Sequence, residues 1–235
     1  RADTIIDGTA RDRVFEATSR GILRFQHLTV TNGYAYKKVG AGFYLNGCQT
    51  LITNCLITRN RLGSDQEYLG DKGGGIYALN GSLEVIDSEI STQYNTDGYY
   101  KFGSGLYAEN VALTVRNVAF RRNSLGSSNP SFGGGVYLSG GSAVFTNCLF
   151  ATNSTDYGGG LYASAVSPLT LSNCTFVGNV ATRGYSGGAL YLSGGTVLAD
   201  RCDIRRNTNA ADKATIYLDS SGVATFIAST FSSNS

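Results

Sequence analysis

The 235-residue sequence predicts an all-β fold: a right-handed, single-stranded parallel β-helix of about eight coils. Three observations carry this. A tyrosine recurs at 44, 77, 107, 137, 162, 191 and 217, at spacings of 25 to 33 residues. A second motif, ending in asparagine in most copies, follows each tyrosine. Within a unit, apolar and polar residues alternate with the period of a strand, and no helical i, i+3, i+4 pattern persists.

Taken in order, the strand-like TIIDG at 4–8 enters the array, and Val-Phe-Glu-Ala at 14–17 is a weak first copy of the tyrosine motif. HLTVTNG at 27–33 is a degenerate copy of the second motif. The pairs that follow are Gly-Phe-Tyr-Leu (42–45) with NCLITRN (54–60), GGGIYAL (73–79) with a degenerate DSEISTQ (87–93), and Gly-Leu-Tyr-Ala (105–108) with NVAFRRN (117–123). Gly-Val-Tyr-Leu (135–138) precedes NCLFATN (147–153), and Gly-Leu-Tyr-Ala (160–163) precedes NCTFVGN (173–179). Ala-Leu-Tyr-Leu (189–192) with RCDIRRN (201–207), and Thr-Ile-Tyr-Leu (215–218) with ASTFSSN (228–234), complete the series. In the coil of Tyr162, alternation turns Leu161, Ala163, Leu169, Leu171, Cys174 and Phe176 inward, and Tyr162, Thr170 and Thr175 outward. Three short strands per repeat, stacked at about 4.8 Å, satisfy the backbone coil on coil. A leucine-rich repeat is excluded because its helical half is missing. A propeller blade would need four antiparallel strands.

In-register coils turn like positions into columns. Val30, Ile57, Ile90, Phe120, Phe150, Phe176, Ile204 and Phe231 form an inward apolar column. The asparagines at 60, 123, 153, 179, 207 and 234 are expected at sharp left-handed corners, hydrogen-bonded to their stacked neighbours. Cys55, Cys148, Cys174 and Cys202 share one inward position and are expected as buried free thiols; Cys48 lies off that column, in a turn, and is the one to test for reactivity. His27 is the only histidine and no CxxC spacing occurs, so no metal or other cofactor is expected. Two sequons, at Asn153 and Asn173, are candidate glycosylation sites.

Repeat length varies almost entirely before the glycine run, at 61–72, 96–102 and 124–132, which places loops on one flank. Asp65, Glu67, Asp71, Lys72, Asp97 and Lys101 concentrate the ionic variety there. The outward tyrosines Tyr44, Tyr77, Tyr107, Tyr137, Tyr162, Tyr191 and Tyr217 form a stripe beside the small residues Gly42, Gly75, Gly105, Gly135, Gly160 and Ala189. Such a stripe stabilises a sheet by stacking, or offers a flat amphipathic contact surface for a glycan or protein. It is the candidate contact stripe, unless the loops fold over it and become the contact surface themselves.

A formal net charge of +2, with 15% charged residues, gives no concentrated basic patch for nucleic acid, and no apolar run is long enough for a membrane helix. The chain is expected to be one β-helix segment, 1–235, of a longer protein.

The GGGIY, GGGVY, GGGLY and GGALY motifs at 73–77, 133–137, 158–162 and 187–191 resemble the GGAI repeats of chlamydial polymorphic outer membrane proteins. FRRN, FATN, FVGN and FSSN at 120–123, 150–153, 176–179 and 231–234 resemble the FxxN repeats of the same passenger domains. The resemblance implies a pectin-lyase-like solenoid placed outside the cell or on its surface. It further implies adhesion or extracellular structural assembly, with a surface protein, a glycan or other copies as partner. Catalysis is not expected: Glu84, Glu89, Asp200 and Asp203 are scattered over distant coils, whereas glycoside hydrolysis needs paired carboxylates across one bond. The alternative is a polysaccharide lyase or glycoside hydrolase with its site in the loop-bearing groove.

Overall fold

The computed structural model describes residues 4–18, 21–63, 70–95, 100–126, 130–183, 186–210, 214–219 and 221–235. The chain winds as a right-handed parallel β-helix. One face is a nine-stranded sheet, running from Thr4–Asp7 through Leu28–Thr31, Leu56–Thr58 and their successors to Thr230–Ser232. A second sheet carries the tyrosine motif and the strand after it, and a seven-stranded sheet follows the motif asparagines. The pairings among the described residues are parallel, with register shifts only between Val166 and Leu169 and between Gly187 and Leu190, and Tyr44, Tyr77, Tyr107, Tyr137, Tyr162, Tyr191 and Tyr217 are successive partners.

The apolar column is the core. Val30, Ile57, Ile90, Phe120, Phe150, Phe176 and Ile204 are almost fully buried, while Phe231, on the last coil, is half exposed. Phe120, Phe150 and Phe176 stack face to face, with ring centroids 5.1 and 4.4 Å apart. Each buried ring contributes about 1.5–3 kcal/mol, repeated down the axis.

The motif asparagines need a correction. The left-handed corner falls one residue earlier, at Arg59, Thr92, Arg122, Thr152, Gly178, Arg206 and Ser233. The asparagines themselves turn inward, and Asn60, Asn123, Asn153, Asn179 and Asn207 are fully buried. Asn153 shows the pattern. Its Oδ1 accepts from the backbone N and Nδ2 of Asn123, both at 3.1 Å, and its Nδ2 donates to Phe120 O at 3.0 Å and Asn179 Oδ1 at 2.9 Å. The expected bonding between stacked neighbours is therefore present, but in the interior. Gln93 fills the same slot in the degenerate third motif, accepting from Asn60 N at 2.7 Å and donating to Ile57 O at 2.6 Å.

The glycine column is also interior rather than a lane on the surface. A Cβ on Gly105 would lie 2.4 Å from Gly135 O, and one on Gly135 2.5 Å from Gly160 O, so the coils approach more closely here than any side chain allows. All five cysteines are buried and form no disulfide, Cys48 included, so the turn position of Cys48 does not give its thiol access to solvent. The Sγ atoms of Cys55, Cys148, Cys174 and Cys202 donate to carbonyl oxygens two residues back, at 3.2–3.6 Å. Ser88 and Ser229 take the same slot with their hydroxyls.

Candidate functional site

Two flanks concentrate side-chain chemistry. The first is the tyrosine stripe. Its rings stack in sequence at 4.5–5.4 Å, nearly parallel over most of the run. Each such pair is worth about 0.5–1.5 kcal/mol beyond area burial. The stripe is not open. A short sheet formed by Asp71–Lys72, Lys101–Phe102 and Ser131–Phe132, at the C-terminal ends of the insertions, lies across it. Phe102, Phe132 and Tyr157 make a second stack whose rings meet Tyr137, Tyr162 and Tyr191 edge-on at 5.1, 5.4 and 6.1 Å. Tyr77 and Tyr107 are buried, and Tyr44, Tyr137, Tyr162, Tyr191 and Tyr217 are half-buried. Of the two alternatives left open by the sequence, an uncovered stripe or one covered by the loops, cover holds at Tyr77 and Tyr107, where tyrosine has become part of the interior.

Electrostatics follow from the cover. Desolvation, aided by the Glu109 carboxylate, pushes the Tyr77 and Tyr137 hydroxyls up to about 12. Desolvation with neighbouring tyrosines does the same for Tyr162 and Tyr191. Tyr107 is raised further, by burial and because its hydroxyl donates to Glu109 Oε2 at 2.7 Å. The Lys72 ammonium lies 4.9 Å from the Tyr107 ring centre and 3.8 Å from Glu109. At the other end the Arg13 guanidinium covers Tyr44 at 4.4 Å.

Two of the insertions' described charges are withdrawn from solvent. Asp71 and Lys101 are buried register partners, Asp71 accepting from the Asn95 amide and Lys101 donating to Gly126 O at 3.0 Å. Two coils on, Asp156 is buried too, bonded to Ser131 N at 3.1 Å and Thr182 Oγ1 at 2.6 Å. Asp65, Glu67 and Asp97 lie outside the described residues. Of the two sequons, Asn153 is fully buried with its amide engaged in the ladder, which withdraws it from modification in the folded chain; Asn173 is an exposed corner residue.

The second flank was not singled out in the sequence. A concave groove of about 700 Å3 runs along the corner between the second and third strands of five successive coils, from His27 to Leu149. One wall is a column of left-handed corner residues, His27, Asn54, Asp87, Asn117 and Asn147, with φ between 48° and 56°. The floor is the outward column Thr29, Leu56, Glu89, Ala119 and Leu149, with Arg121 beside it. Asn117 Nδ2 donates to Asp87 Oδ1 at 2.7 Å, and Asn147 Nδ2 donates to Asn117 Oδ1 at 3.1 Å. Arg121 Nε is buried and makes no hydrogen bond among the described residues. The signal was present: the asparagine opening NCLITRN and NCLFATN is the residue type that tolerates a left-handed backbone. No group of three or more potential metal-ligating side chains occurs among the described residues, nor any helix long and apolar enough to cross a membrane.

Comparison with known proteins adds the following. The family profile described as "Right handed beta helix region" matches residues 15–180 and 104–235. A stretch of 119 residues, 51% of the chain, is 32% identical to the "Metabotropic glutamate receptor-like protein R" of Dictyostelium discoideum. A stretch of 107 residues, 41% of the chain, is 29% identical to the "Probable outer membrane protein pmp21" of Chlamydia pneumoniae. Each match spans 7% of the relative's length. No solved structure matches.

Proposed function

From a chain that belongs to the right-handed β-helix family, we propose a non-catalytic protein of the cell surface or extracellular space that acts in adhesion or structural assembly. It engages an extended partner, a glycan or a surface protein, in the corner groove. Similarity to an outer membrane protein supports the placement. The observation that carries the binding reading is the repetition of the groove. Asp87, Asn117 and Asn147 offer the same hydrogen-bonding corner on successive coils, about 4.8 Å apart, beside a floor of mixed Leu, Ala, Thr and Glu. A wall repeated at that pitch suits a ligand that is itself extended and repetitive. A reacting bond would instead need groups converging on one point.

Arg121→Glu and Asp87→Ala, made separately, test this in a cell-attachment assay and on a glycan array. Loss of attachment with an unchanged circular dichroism spectrum is expected from each. Full attachment by both folded variants would remove the groove from the proposal. Incubation of the unaltered protein with bound glycans, followed by mass analysis, tests catalysis directly: shortened or unsaturated sugars would replace the adhesin reading with a lyase or hydrolase.

A further inference from the structure

On a third flank, away from the corner groove, an arginine is held between two tyrosines. Tyr34, Arg61 and Tyr94 are consecutive partners on the outward face of the seven-stranded sheet. The Arg61 guanidinium carbon sits 4.5 Å from the Tyr34 ring centre and 6.0 Å from that of Tyr94. Gly63 sets this arrangement. A Cβ there would lie 2.5 Å from the Tyr34 hydroxyl oxygen and 2.9–3.0 Å from its ring carbons, so the missing side chain lets Tyr34 lie flat along the neighbouring strand. Tyr36 adds a further ring, 6.2 Å from Tyr34. Tyr36 and Tyr94 are 48% and 42% exposed, whereas Tyr77 and Tyr107 on the neighbouring sheet are buried.

Charge decides what fits. Arg61 makes no ion pair among the described residues, whereas Arg13, Arg183, Arg201 and Arg205 each have a carboxylate partner. The corner column beside it carries Arg59 and Arg122, both exposed, two coils apart. Neither column contains an acid over these coils: the corner column reads Arg59, Thr92, Arg122 and the strand column Tyr34, Arg61, Tyr94, Ser124. A guanidinium has five N–H donors, so with the Tyr34 and Tyr94 hydroxyls as neighbours Arg61 still has edge donors to bind an oxyanion in a fork. Tyr34 and Tyr94, two coils apart, are separated by about 10 Å, comparable with the length of a disaccharide.

We propose that Tyr34, Arg61 and Tyr94, flanked by Arg59 and Arg122, form a binding site for an acidic glycan, with sugar rings stacked on the tyrosines and a sulfate or carboxylate on Arg61. The site is independent of the corner groove. The peptide backbone is already committed to the sheet here, so recognition falls to ring faces and guanidinium edges.

Surface plasmon resonance on immobilised heparan sulfate fragments, with their chemically desulfated form as control, tests it. Binding of the unaltered protein should weaken steeply with salt, and the desulfated form should bind at least about tenfold more weakly. Arg61→Gln should weaken binding about tenfold or more at an unchanged Tm, and Tyr94→Ser, which removes an exposed ring, several-fold. Arg24→Gln, an exposed arginine on another sheet, should leave binding intact. Any of four results would overturn the proposal: Arg61→Gln binding as the unaltered protein does, Arg24→Gln losing as much as Arg61→Gln, Tyr94→Ser unchanged, or capture of an acidic peptide with no binding to the glycan.

Discussion

Replacing Asn153 with alanine removes one rung of the buried amide ladder, and the cost can be worked from its bonds. Four hydrogen bonds to the side chain disappear: two received from Asn123, one given to Phe120 O and one given to Asn179 Oδ1. The Asn123 backbone N–H then has no acceptor in a fully buried position, at about 1–3 kcal/mol, and the other three bonds contribute about 1 kcal/mol each. The sum is about 5 kcal/mol, which lowers Tm by about 10–20 °C in a chain of this size. Urea denaturation and thermal melting measure it, and amide hydrogen exchange at Asn123 locates it. Asn153→Gln should recover much of the loss, because Gln93 makes the equivalent bonds naturally. Asn234→Ala, at the partly exposed last rung, should cost only about 1 kcal/mol, since water replaces the lost partner. Equal costs at positions 153 and 234, or a cost below about 1 kcal/mol at 153, would refute the ladder as a source of stability.

The covered tyrosines make stability fall at high pH. Tyr77, Tyr137, Tyr162 and Tyr191 are raised to about 12 in the fold against about 10 when unfolded, so the unfolded chain ionises first. Their contribution is complete below pH 10 and is lost as pH rises through 12, which absorbance at 295 nm and circular dichroism recorded together will follow. Gly135→Ala forces a Cβ to within 2.5 Å of Gly160 O and should destabilise by about 1–3 kcal/mol or more. Gly47→Ala meets open space and pays only for its left-handed φ of 71°, about 1–2 kcal/mol. All five thiols should resist a water-soluble disulfide reagent in the native protein and react together on denaturation. Fast labelling of Cys48 in the folded chain would contradict its burial.

The repeat register was legible because in-register coils give each column one environment, and each environment selects one residue type. That is why Phe120, Phe150 and Phe176 announce an inward position, and the tyrosines a neighbouring one. What the columns did not announce is which of two turns an asparagine serves. Asn54 and Asn60 belong to the same motif, yet Asn54 is left-handed and exposed while Asn60 is buried and bonded. Both are polar and both recur, so periodicity alone cannot separate them. The fate of the tyrosine stripe was likewise hidden: Phe102, Phe132 and Tyr157 each stand five residues before a stripe tyrosine, but they close insertions of unequal length, and periodicity does not say that this column folds over the stripe. The corner groove escaped for a related reason: its wall is made of residues whose backbone, rather than side-chain polarity, marks them.

The buried amide ladder has a direction. Each rung supplies an acceptor to the rung before it and needs one from the rung after it: Asn123 N uses Asn153 Oδ1, and Asn153 N uses Asn179 Oδ1. A chain made or exported amino end first therefore always carries one unmet donor, on its newest rung, and the next rung to emerge answers it. Assembly can follow the order of synthesis, with no rung waiting for a distant segment. The penalty for pausing is the same single group at every step, however many coils have already closed.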